Sequence, residues 1–334
     1  MSVIIFTNDL KNENSYGIGQ IIHFLKKNIK IRKNINVEIV NFKNLITKIH
    51  KIKKSSLVHI HGCWSLIHLL TFIISKIYKK KIYFSPHGML MPQALKIKKL
   101  KKQIALKIYQ KKILDHCDKI IVNSNLEKKF LKKLSNNKNI SIVPHGININ
   151  RKFFFKRNKN TKVKFLFYSR IHPIKGLLQL VDIWSKSKVL KKINLHIYGN
   201  VEDQIYFNKI KSLFTNNIRY LGALNSVNKY QLMKKYDVLI YPSYSENFGI
   251  IILEALNAGL YVLVRENLPW KSLNSKFGKL IKMNKNFLEK NIILLTEKVK
   301  INKINYDKKY LRNYLINNFN WKKISNIYLK IYNI

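Results

Sequence analysis

The segment Tyr241–Gly259, YPSYSENFGIIILEALNAG, decides the fold and carries two carboxylates, Glu246 and Glu254. It runs from a predicted strand, through a loop with Glu246, into a predicted helix with Glu254, as in a strand followed by a crossover helix. Glu254 is the only charged residue between Phe248 and Val264. Burying an unpaired carboxylate costs roughly several kcal/mol, so a ligand that offers hydroxyl groups is a natural partner. A crossover helix with one tolerated glutamate is the alternative.

The start of the same helix, at Phe248 and Gly249, is suited to a phosphate group. The first backbone N–H groups of a helix have no partner within the helix, and the helix dipole is positive there. A ligand that offers both hydroxyl and phosphate groups is a nucleotide sugar. The segment therefore predicts that Phe248, Gly249 and Glu254 contribute to a nucleotide-sugar site.

The spacing Glu-x7-Glu, in the frame Pro-Ser…Glu-x-Phe-Gly…Leu-Glu-Ala, resembles the signature of the retaining group 1 (family 4) glycosyltransferases. In that family the first glutamate contacts the donor sugar and the second contacts the nucleotide ribose. The resemblance implies a catalytic role for Glu246 and donor binding for Glu254. It also implies the GT-B fold, in which two Rossmann-like domains face a cleft.

A second predicted strand end carries two basic residues, Arg170 and Lys175. The strand Lys164–Tyr168 is followed by SRIHPIKG, and Gly176 opens the next helix. A guanidinium and an ammonium group on one turn can hold a diphosphate from two sides, although a solvated basic loop is the alternative. The turn resembles the family's Gly-Arg-x4-Lys-Gly element, with Ser169 in place of the first Gly. The resemblance implies that Arg170 and Lys175 stabilise the leaving diphosphate.

Further glycines near predicted strand ends resemble the glycine-rich turns of the family. Gly17 and Gly19 lie between the first predicted strand and the first helix, where the family approaches the donor phosphates. Gly199 follows the predicted strand Leu195–Tyr198. The resemblance implies that these three glycines, together with Gly176, belong to the donor site. A purely structural role is the alternative for Gly199.

The block Tyr83–Leu95, YFSPHGMLMPQAL, resembles a segment of the family members that assemble bacterial polysaccharides. Its histidine, His87, offers one hydrogen-bond donor and one acceptor when it is neutral. The resemblance implies that His87 contacts the donor sugar or the acceptor, which is a catalytic role. A histidine that only orders its turn is the alternative, and this is the favoured interpretation for His61 and His145.

Short apolar strands alternate with helix-length segments along the 334 residues, which predicts parallel sheets built from βαβ units. The alternation restarts after a polar, basic stretch at 148–161. We predict an α/β fold with two Rossmann-like domains: an acceptor-binding domain at 1–150 and a donor-binding domain at 151–310, facing an interdomain cleft. The sequence NFNWKKISNIY at 318–328 resembles the closing helix of the family, which implies that 311–334 cross back to the first domain.

The formal net charge of +48 comes from 64 Lys and Arg against 16 Asp and Glu and first suggests a nucleic-acid partner. The lysines, however, are spread along the chain, and no recognition-motif spacing, ribonucleoprotein aromatic motif or zinc-finger cysteine pattern is present. We therefore expect no nucleic-acid partner. A non-catalytic basic nucleic-acid-binding protein is retained as an alternative.

The sequence contains no pattern typical of a metal or cofactor site. No Asp-x-Asp occurs, no His, Cys and Asp cluster has metal-ligand spacing, and Cys63 and Cys117 are isolated. We expect a metal-independent enzyme without a cofactor, whose substrate is a nucleotide sugar, with a UDP-sugar foremost. No signal peptide is recognisable and no apolar run is long enough for a bilayer span, which predicts a cytoplasmic protein.

The segment Leu95–Leu114 combines apolar residues at helical spacing with many lysines. Such a helix can place a basic face against anionic lipid, which predicts peripheral binding to the inner face of the cytoplasmic membrane. A surface helix that packs on the sheet with its lysines in water is the alternative.

The resemblance implies a glycosyltransferase that moves a sugar from a nucleotide-diphosphate donor to a glycan or lipid-linked acceptor. It further implies retention of anomeric configuration and a place in cell-surface polysaccharide synthesis. A sugar phosphorylase of the same fold is a second alternative, although no cofactor-bearing lysine stands out in the sequence.

Overall fold

The computed structural model describes residues 2–6, 18–33, 35–41, 44–149, 163–223, 229–271, 273, 277–300 and 308–333. The chain divides into two compact units. Unit 1 comprises Met1–Gly146 and Asn318–Ile334, and unit 2 comprises Ile147–Asn317. The boundaries therefore lie four residues before the predicted domain change at 150 and seven residues after the predicted start of the C-terminal segment at 311.

Unit 1 contains, in its described part, one sheet of six strands in the order β2-β1-β3-β4-β5-β6, and every neighbouring pair is parallel. The order changes direction between β1 and β3, so the carboxyl ends of these strands flank a crevice where ligands of such sheets bind. The strands are β1 (Ser2–Phe6), β2 (Asn36–Val40), β3 (Leu57–His61), β4 (Lys81–Ser85), β5 (Lys119–Val122) and β6 (Ile140–Ile142).

Successive side chains of these strands enter different hydrophobic clusters, because side chains alternate between the two faces of a sheet. Leu57 packs on one face with α1 and α14, whereas Val58 packs on the other with α2, α3 and α6. Both faces are thus covered, which explains the long apolar runs of the strands. The helices are α1 (Ile18–Lys33), α2 (Leu45–Lys54), α3 (Leu66–Ile77), α4 (Pro92–Lys96), α5 (Lys99–Ala105), α6 (Lys111–His116) and α7 (Asn125–Leu131), with α14 (Trp321–Tyr332) returning from the far end of the chain.

Unit 2 contains, among its described residues, a second six-stranded parallel sheet in the order β12-β11-β10-β7-β8-β9. Here the order changes direction between β7 and β10, the neighbouring strands at the centre of the sheet. The strands are β7 (Phe165–Tyr168), β8 (Leu195–Tyr198), β9 (Ile218–Tyr220), β10 (Val238–Tyr241), β11 (Tyr261–Arg265) and β12 (Gly278–Ile281).

The central strands of unit 2 are fully apolar and buried, as FLFY in β7 and VLIY in β10. This is the pattern of a parallel strand that is covered on both faces. The helices of this part of the chain are α8 (Leu177–Lys186), α9 (Gln204–Lys211), α10 (Lys229–Met233), α11 (Ile250–Asn257), α12 (Lys285–Lys300) and α13 (Lys308–Phe319). The predicted fold class, α/β with two parallel sheets, is confirmed.

The structure corrects one predicted element, because Gln93–Leu114 is not a single helix. Helix α4 ends at Lys96, and Lys98 takes a left-handed conformation with φ of 53° before α5 begins. The ammonium group of Lys102 donates a hydrogen bond to the carbonyl of Ala94, which helps to satisfy the end of α4. A π-helical turn, Leu106–Gln110, then separates α5 from α6.

Candidate active site

The loops that follow β7 and β10 meet at the centre of the unit 2 sheet. The Ile174 carbonyl accepts hydrogen bonds from the Tyr244 backbone N–H at 2.8 Å and from Ser243 Oγ at 3.2 Å. Gly176 permits this approach, because it has φ of +70° and a Cβ atom there would lie 2.3 Å from the Pro242 carbonyl oxygen. The two loops therefore form one surface at the position where ligands bind in sheets of this order.

An ion pair joins these two loops. Lys175 Nζ lies 2.5 Å from Glu246 Oε1, and the two side chains are only 10% and 12% exposed. The Tyr241 hydroxyl donates a second hydrogen bond to the same oxygen at 2.7 Å. The structure thus brings together two residues that the sequence predicts for the leaving diphosphate and the donor sugar.

Arg170 lies at the end of β7 but points to a different carboxylate. One nitrogen of its guanidinium group, Nη1, contacts both Glu202 oxygens, at 2.9 and 2.7 Å. This pair is open to solvent, with side-chain exposures of 58% and 37%. Arg170 and Lys175 are therefore each paired with a carboxylate, and a diphosphate held by both would take the place of those partners.

Glu254, predicted for the ribose, lies on α11 and pairs with Lys229. Glu254 Oε1 lies 2.5 Å from Lys229 Nζ. Its second oxygen, Oε2, is buried and has no hydrogen-bond partner among the described residues. Burial raises the pKa of Glu254, whereas the ammonium group of Lys229 acts to lower it. A buried acceptor without a donor is what a ligand hydroxyl would satisfy.

The start of α11 places Phe248 and Gly249 beside Glu246. Gly249 is the N-cap residue of α11, and a Cβ atom at this position would lie 3.7 Å from Glu246 Cγ. The Phe248 ring packs against Trp270, with ring centroids 5.5 Å apart, and its carbonyl accepts a hydrogen bond from Trp270 Nε1. Phe248 therefore anchors the loop through its buried ring, while the helix start offers backbone N–H groups to a ligand.

The remaining predicted glycines have different surroundings. Gly199 has φ of +153°, and a Cβ atom there would lie 1.6 Å from the Ser169 carbonyl oxygen, so this glycine allows the ends of β7 and β8 to approach each other. Gly19 is buried in the first turn of α1. Gly17 lies outside the described residues.

In unit 1, His87 belongs to a cluster of histidines at the carboxyl ends of β3 and β4. His87 Nε2 lies 2.8 Å from His61 Nδ1, and the two rings stack at 5.1 Å. His145 also stacks on His87, with ring centroids 6.2 Å apart, and the ring centroids of His59 and His61 are 3.9 Å apart. The structure therefore unites the three turn histidines of the sequence and adds His59, which the sequence analysis missed.

Burial keeps this cluster uncharged. Burial lowers the pKa of His87 to about 4 and that of His145 to about 3, and it lowers the pKa of His59 and of His61 well below the usual value. The neighbouring histidines add to the effect at His59, His61 and His145, because a second positive charge in the cluster would be repelled. These side chains are neutral hydrogen-bonding groups at neutral pH.

One buried carboxylate, Glu127, holds the turn that carries His87. Its Oε1 accepts a hydrogen bond from the Gly88 backbone N–H at 2.5 Å, and its Oε2 accepts one from the Asn123 backbone N–H at 2.9 Å. Burial raises the pKa of Glu127 to about 7, while these two hydrogen bonds act to lower it. The Glu127 side chain, which comes from α7, thus holds the backbone of the turn beside His87.

Two family profiles match adjacent parts of the chain. The profile of glycosyltransferase family 4 matches residues 1–151, and that of the group 1 glycosyl transferases matches residues 148–303. Together they span residues 1–303, which include every predicted site residue. The chain belongs to the group 1 glycosyltransferases. The predicted family and the predicted activity, a nucleotide-sugar glycosyltransferase, are confirmed.

Individual relatives of this glycosyltransferase are distant. An uncharacterized 41.2 kDa protein in the cps region of Klebsiella pneumoniae is 26% identical over 304 residues, which is 86% of this chain and 81% of the relative. The N,N'-diacetylbacillosaminyl-diphospho-undecaprenol alpha-1,3-N-acetylgalactosaminyltransferase of Campylobacter jejuni is 28% identical over 160 residues, 44% of this chain and 42% of the relative.

The fold of the glycosyltransferase is shared with solved structures. The Anabaena protein HepE, in a complex with UDP and glucose, superposes with a TM-score of 0.73 at 14% identity and with coverage of 99% of each chain. Within the part of the glycosyltransferase that is described, no group of three or more His, Cys, Asp or Glu residues is arranged to hold a metal ion. No helix in the same described part is long and apolar enough to cross a membrane.

Besides His59, the sequence analysis of this glycosyltransferase missed the residues that hold the predicted site residues or their turns in place. Tyr241 is visible in the sequence as the residue that ends β10, but its contact with Glu246 depends on the loop that follows. Glu202 and Lys229 lie outside every motif, in a chain where lysine is common. Glu127 had a usable signal, because Ser124 and Glu127 have the spacing of a helix capping box and the Ser124 side chain accepts a hydrogen bond from the Glu127 N–H.

Proposed function

We propose that the protein transfers a sugar from a UDP-sugar to a glycan or lipid-linked acceptor, with retention of configuration and without a metal ion, in the assembly of a cell-surface polysaccharide. The observation that carries the proposal is the junction of the loops after β7 and β10, where Lys175 pairs with Glu246 at the centre of the sheet. The names of the relatives support the substrate class, since one acts on a diphospho-undecaprenol substrate and HepE binds UDP and glucose.

In the proposed reaction, the donor diphosphate binds Lys175 and Arg170 and draws them from their carboxylate partners. These cations then stabilise the negative charge that develops on the leaving diphosphate, together with the N–H groups at the start of α11. Glu246, released from Lys175, accepts hydrogen bonds from hydroxyl groups of the donor sugar. Glu254 accepts a hydrogen bond from a ribose hydroxyl through Oε2, which has no partner among the described residues.

Metal independence is supported by the charges that the site already holds. Lys175 and Arg170 lie at one strand end, and each can exchange its carboxylate partner for an oxygen of the leaving diphosphate. Activity that is unchanged after treatment with EDTA supports this part of the proposal, and loss of activity that Mg²⁺ or Mn²⁺ restores overturns it. The anomeric configuration of the product, read by NMR, tests retention.

The nucleotide is tested first by thermal shift with UDP, GDP, ADP and CMP, and then by nucleotide release from the corresponding sugar donors. A nucleotide at a hundred times its Kd should stabilise the fold by ~2.7 kcal/mol. Glu254→Gln should weaken UDP binding by about tenfold or more, because a ribose hydroxyl loses a charged acceptor. Glu297→Gln, at an exposed position on α12, is the matched control. UDP affinity that is equal in both variants contradicts the ribose assignment.

We also propose that unit 1 binds the inner face of an anionic membrane through two helical surfaces. On α5 and the following π-helical turn, Leu100, Ile104 and Ile108 are 58–75% exposed at helical spacing, with lysines between them. On α3, a second stripe of four apolar side chains is 43–68% exposed: Leu66, Leu70, Ile73 and Ile77. Apolar side chains match a surface of acyl chains, and the lysines between those of α5 match anionic headgroups, at ~1 kcal/mol for each lysine near the surface.

Liposome flotation tests the membrane proposal. The protein should float with phosphatidylglycerol vesicles at low salt, and float less at high salt or with neutral vesicles. Replacing Leu100, Ile104 and Ile108 by Ser should reduce flotation, whereas Ile205→Ser, at a side chain that is 85% exposed on α9, should not. Equal recovery with neutral and anionic vesicles overturns this proposal and leaves the transferase proposal intact.

A further inference from the structure

Tyr241 occupies a position at the centre of the unit 2 site that none of the predicted roles includes. It is the last residue of β10, and only 3% of it is exposed. Its hydroxyl donates to Glu246 Oε1 at 2.7 Å, and Lys175 Nζ lies 6.0 Å from the centre of its ring. Tyr241 therefore connects the loop after β7 with the loop after β10.

The two hydrogen bonds to Glu246 leave one of its oxygens available. Lys175 and Tyr241 both bind Oε1, and no described residue donates a hydrogen bond to Oε2. A carboxylate that is held by one oxygen presents the other in a fixed direction. The direction is set by two donors of different kinds, an ammonium group on a long side chain and a phenol at the end of a buried strand.

These two donors respond differently to an incoming diphosphate. Lys175 carries a positive charge, so a phosphate competes with Glu246 for it. The Tyr241 phenol is neutral, because burial and then the Glu246 carboxylate raise its pKa well above the usual value. A neutral phenol in a buried position has no comparable attraction to phosphate and keeps its proton for the carboxylate.

We propose that Tyr241 is a positioning residue that holds Glu246 through Oε1 when the donor diphosphate draws Lys175 away, so that Oε2 faces the hydroxyl groups of the donor sugar. This inference rests on the proposed function, because it requires a donor that carries both a diphosphate and a sugar. It assigns Tyr241 to the recognition of the sugar part of the donor. The nucleotide part is bound by other residues.

Tyr241→Phe tests this proposal, because it removes the hydroxyl and keeps the buried ring. For the active donor, we expect kcat/KM to fall about tenfold to a hundredfold, since hydrogen bonds to charged groups contribute that much. The affinity for UDP, which lacks the sugar, should change less than about twofold. Tyr236→Phe is the matched control, since Tyr236 is also buried, precedes the same strand, and has its hydroxyl bonded to His196 at 2.8 Å.

A double-mutant cycle separates positioning from simple packing. If Tyr241 acts through Glu246, then Tyr241→Phe in a Glu246→Gln background should reduce kcat/KM less than about threefold. An equal loss in both backgrounds, or an equal loss of UDP affinity and of turnover, overturns the proposal. Either result would mean that the hydroxyl supports the fold or the nucleotide site.

The same four proteins, without any ligand, distinguish a failure of this inference from a failure of the proposed function. Their thermal unfolding measures the coupling between Tyr241 and Glu246 in the free protein. Coupling together with transfer from a sugar nucleotide, and loss of that transfer in Tyr241→Phe, supports the inference. If thermal unfolding shows no coupling between Tyr241 and Glu246, the inference is overturned, but the proposed transferase function is not affected. Coupling with no turnover of any sugar nucleotide overturns the proposed function and, with it, the assignment of Tyr241 to a sugar.

Discussion

The two units bury polar groups at the ends of their central strands in opposite ways. In unit 2, the Lys175 and Glu246 side chains form an ion pair that is almost out of contact with water. In unit 1, His59, His61 and His87 are held together as neutral rings, because burial lowers the pKa of each. An ion pair can exchange one partner for a ligand of the same charge, whereas a neutral cluster offers hydrogen bonds without a counter-charge. The difference suits the unit 2 site to a ligand that carries negative charge, such as the diphosphate of the proposed donor.

The largest expected difference between the units is their response to acid. A histidine whose pKa is lowered by folding takes up its proton more readily when unfolded, so it stabilises the fold above pH 6.5 and loses this contribution as the pH falls. The loss is ~1.4 kcal/mol per pH unit for each such histidine. His87 and His145 have pKa values of about 4 and about 3, so both should add to this loss of stability as the pH falls from 6.5 to 5. Glu127, whose pKa is raised to about 7, acts in the opposite direction and offsets about one histidine between pH 7 and 4.5.

Hydrogen exchange at pH 7.5 and pH 5.0, corrected for intrinsic rates, measures this response. Peptides from β3 and β4 should lose protection at pH 5.0, while peptides from β7 and β10 keep theirs. His61→Asn should reduce by about one the number of protons that unit 1 takes up on unfolding, which the pH dependence of its stability measures. His50→Asn, at an exposed position on α2, should leave this number unchanged. Equal loss of protection in both units would show that the histidine cluster is not the cause.

The second expected effect is specific to the ion pair of unit 2. Lys175→Ala leaves the Glu246 carboxylate without its counter-ion, so we expect a loss of stability of a few kcal/mol and a rise of ~2–4 kcal/mol in the barrier to transfer. Lys186→Ala is the control, because Lys186 pairs with Asp182 on the surface of α8 and is 68% exposed. Melting curves and donor turnover of both variants give the comparison. Unchanged turnover in Lys175→Ala would reduce this residue to a structural role.

The smallest expected effect on stability belongs to Arg170. Its pair with Glu202 is exposed, and exposed pairs contribute ~0–1 kcal/mol, so Arg170→Ala should leave the melting temperature nearly unchanged. Its turnover should still fall, because the guanidinium group would stabilise the leaving diphosphate only during the reaction. Arg219→Ala, at an exposed position on β9, is the matched control for the loss of one charge. Equal turnover in both variants would remove Arg170 from the site.

The sequence predicts which strand ends carry the residues of the unit 2 site, because strand ends and loop motifs are features of short segments. Lys175 and Glu246 follow β7 and β10, and parallel neighbours bring their carboxyl ends to one edge. The partners of these residues could not be predicted in the same way. Glu202 lies 32 residues from Arg170, and Lys229 lies 25 residues from Glu254, on elements whose relation to the site depends on the packed structure. The abundance of lysine also gives Lys229 no distinction in the sequence.

In unit 1, the helix break at Lys98 and the contact of His59 could not be predicted from the sequence, for a different physical reason. The segment Gln93–Leu114 has helical periodicity and neither Gly nor Pro after Pro92, so its break at Lys98 has no local signal. His59 lies within a strand, and its ring is hydrogen-bonded to Tyr332 at 2.6 Å, on a helix at the far end of the chain. Contacts between residues so distant in the sequence are set by the tertiary structure and not by local propensity.

The return of α14 has a consequence for folding during synthesis. Trp321, Tyr328 and Tyr332 complete the hydrophobic cluster that α1 begins, and Tyr332 supplies the hydroxyl partner of His59. The ribosome makes these residues only after the whole of unit 2, roughly ten to forty seconds after Gly146 at ordinary elongation rates. Throughout that interval α1 covers one face of the nascent unit 1 sheet without α14, and the apolar side chains left exposed make the chain a target for chaperones. Unit 2 is contiguous in sequence, so it can fold before the last segment of unit 1 has been made.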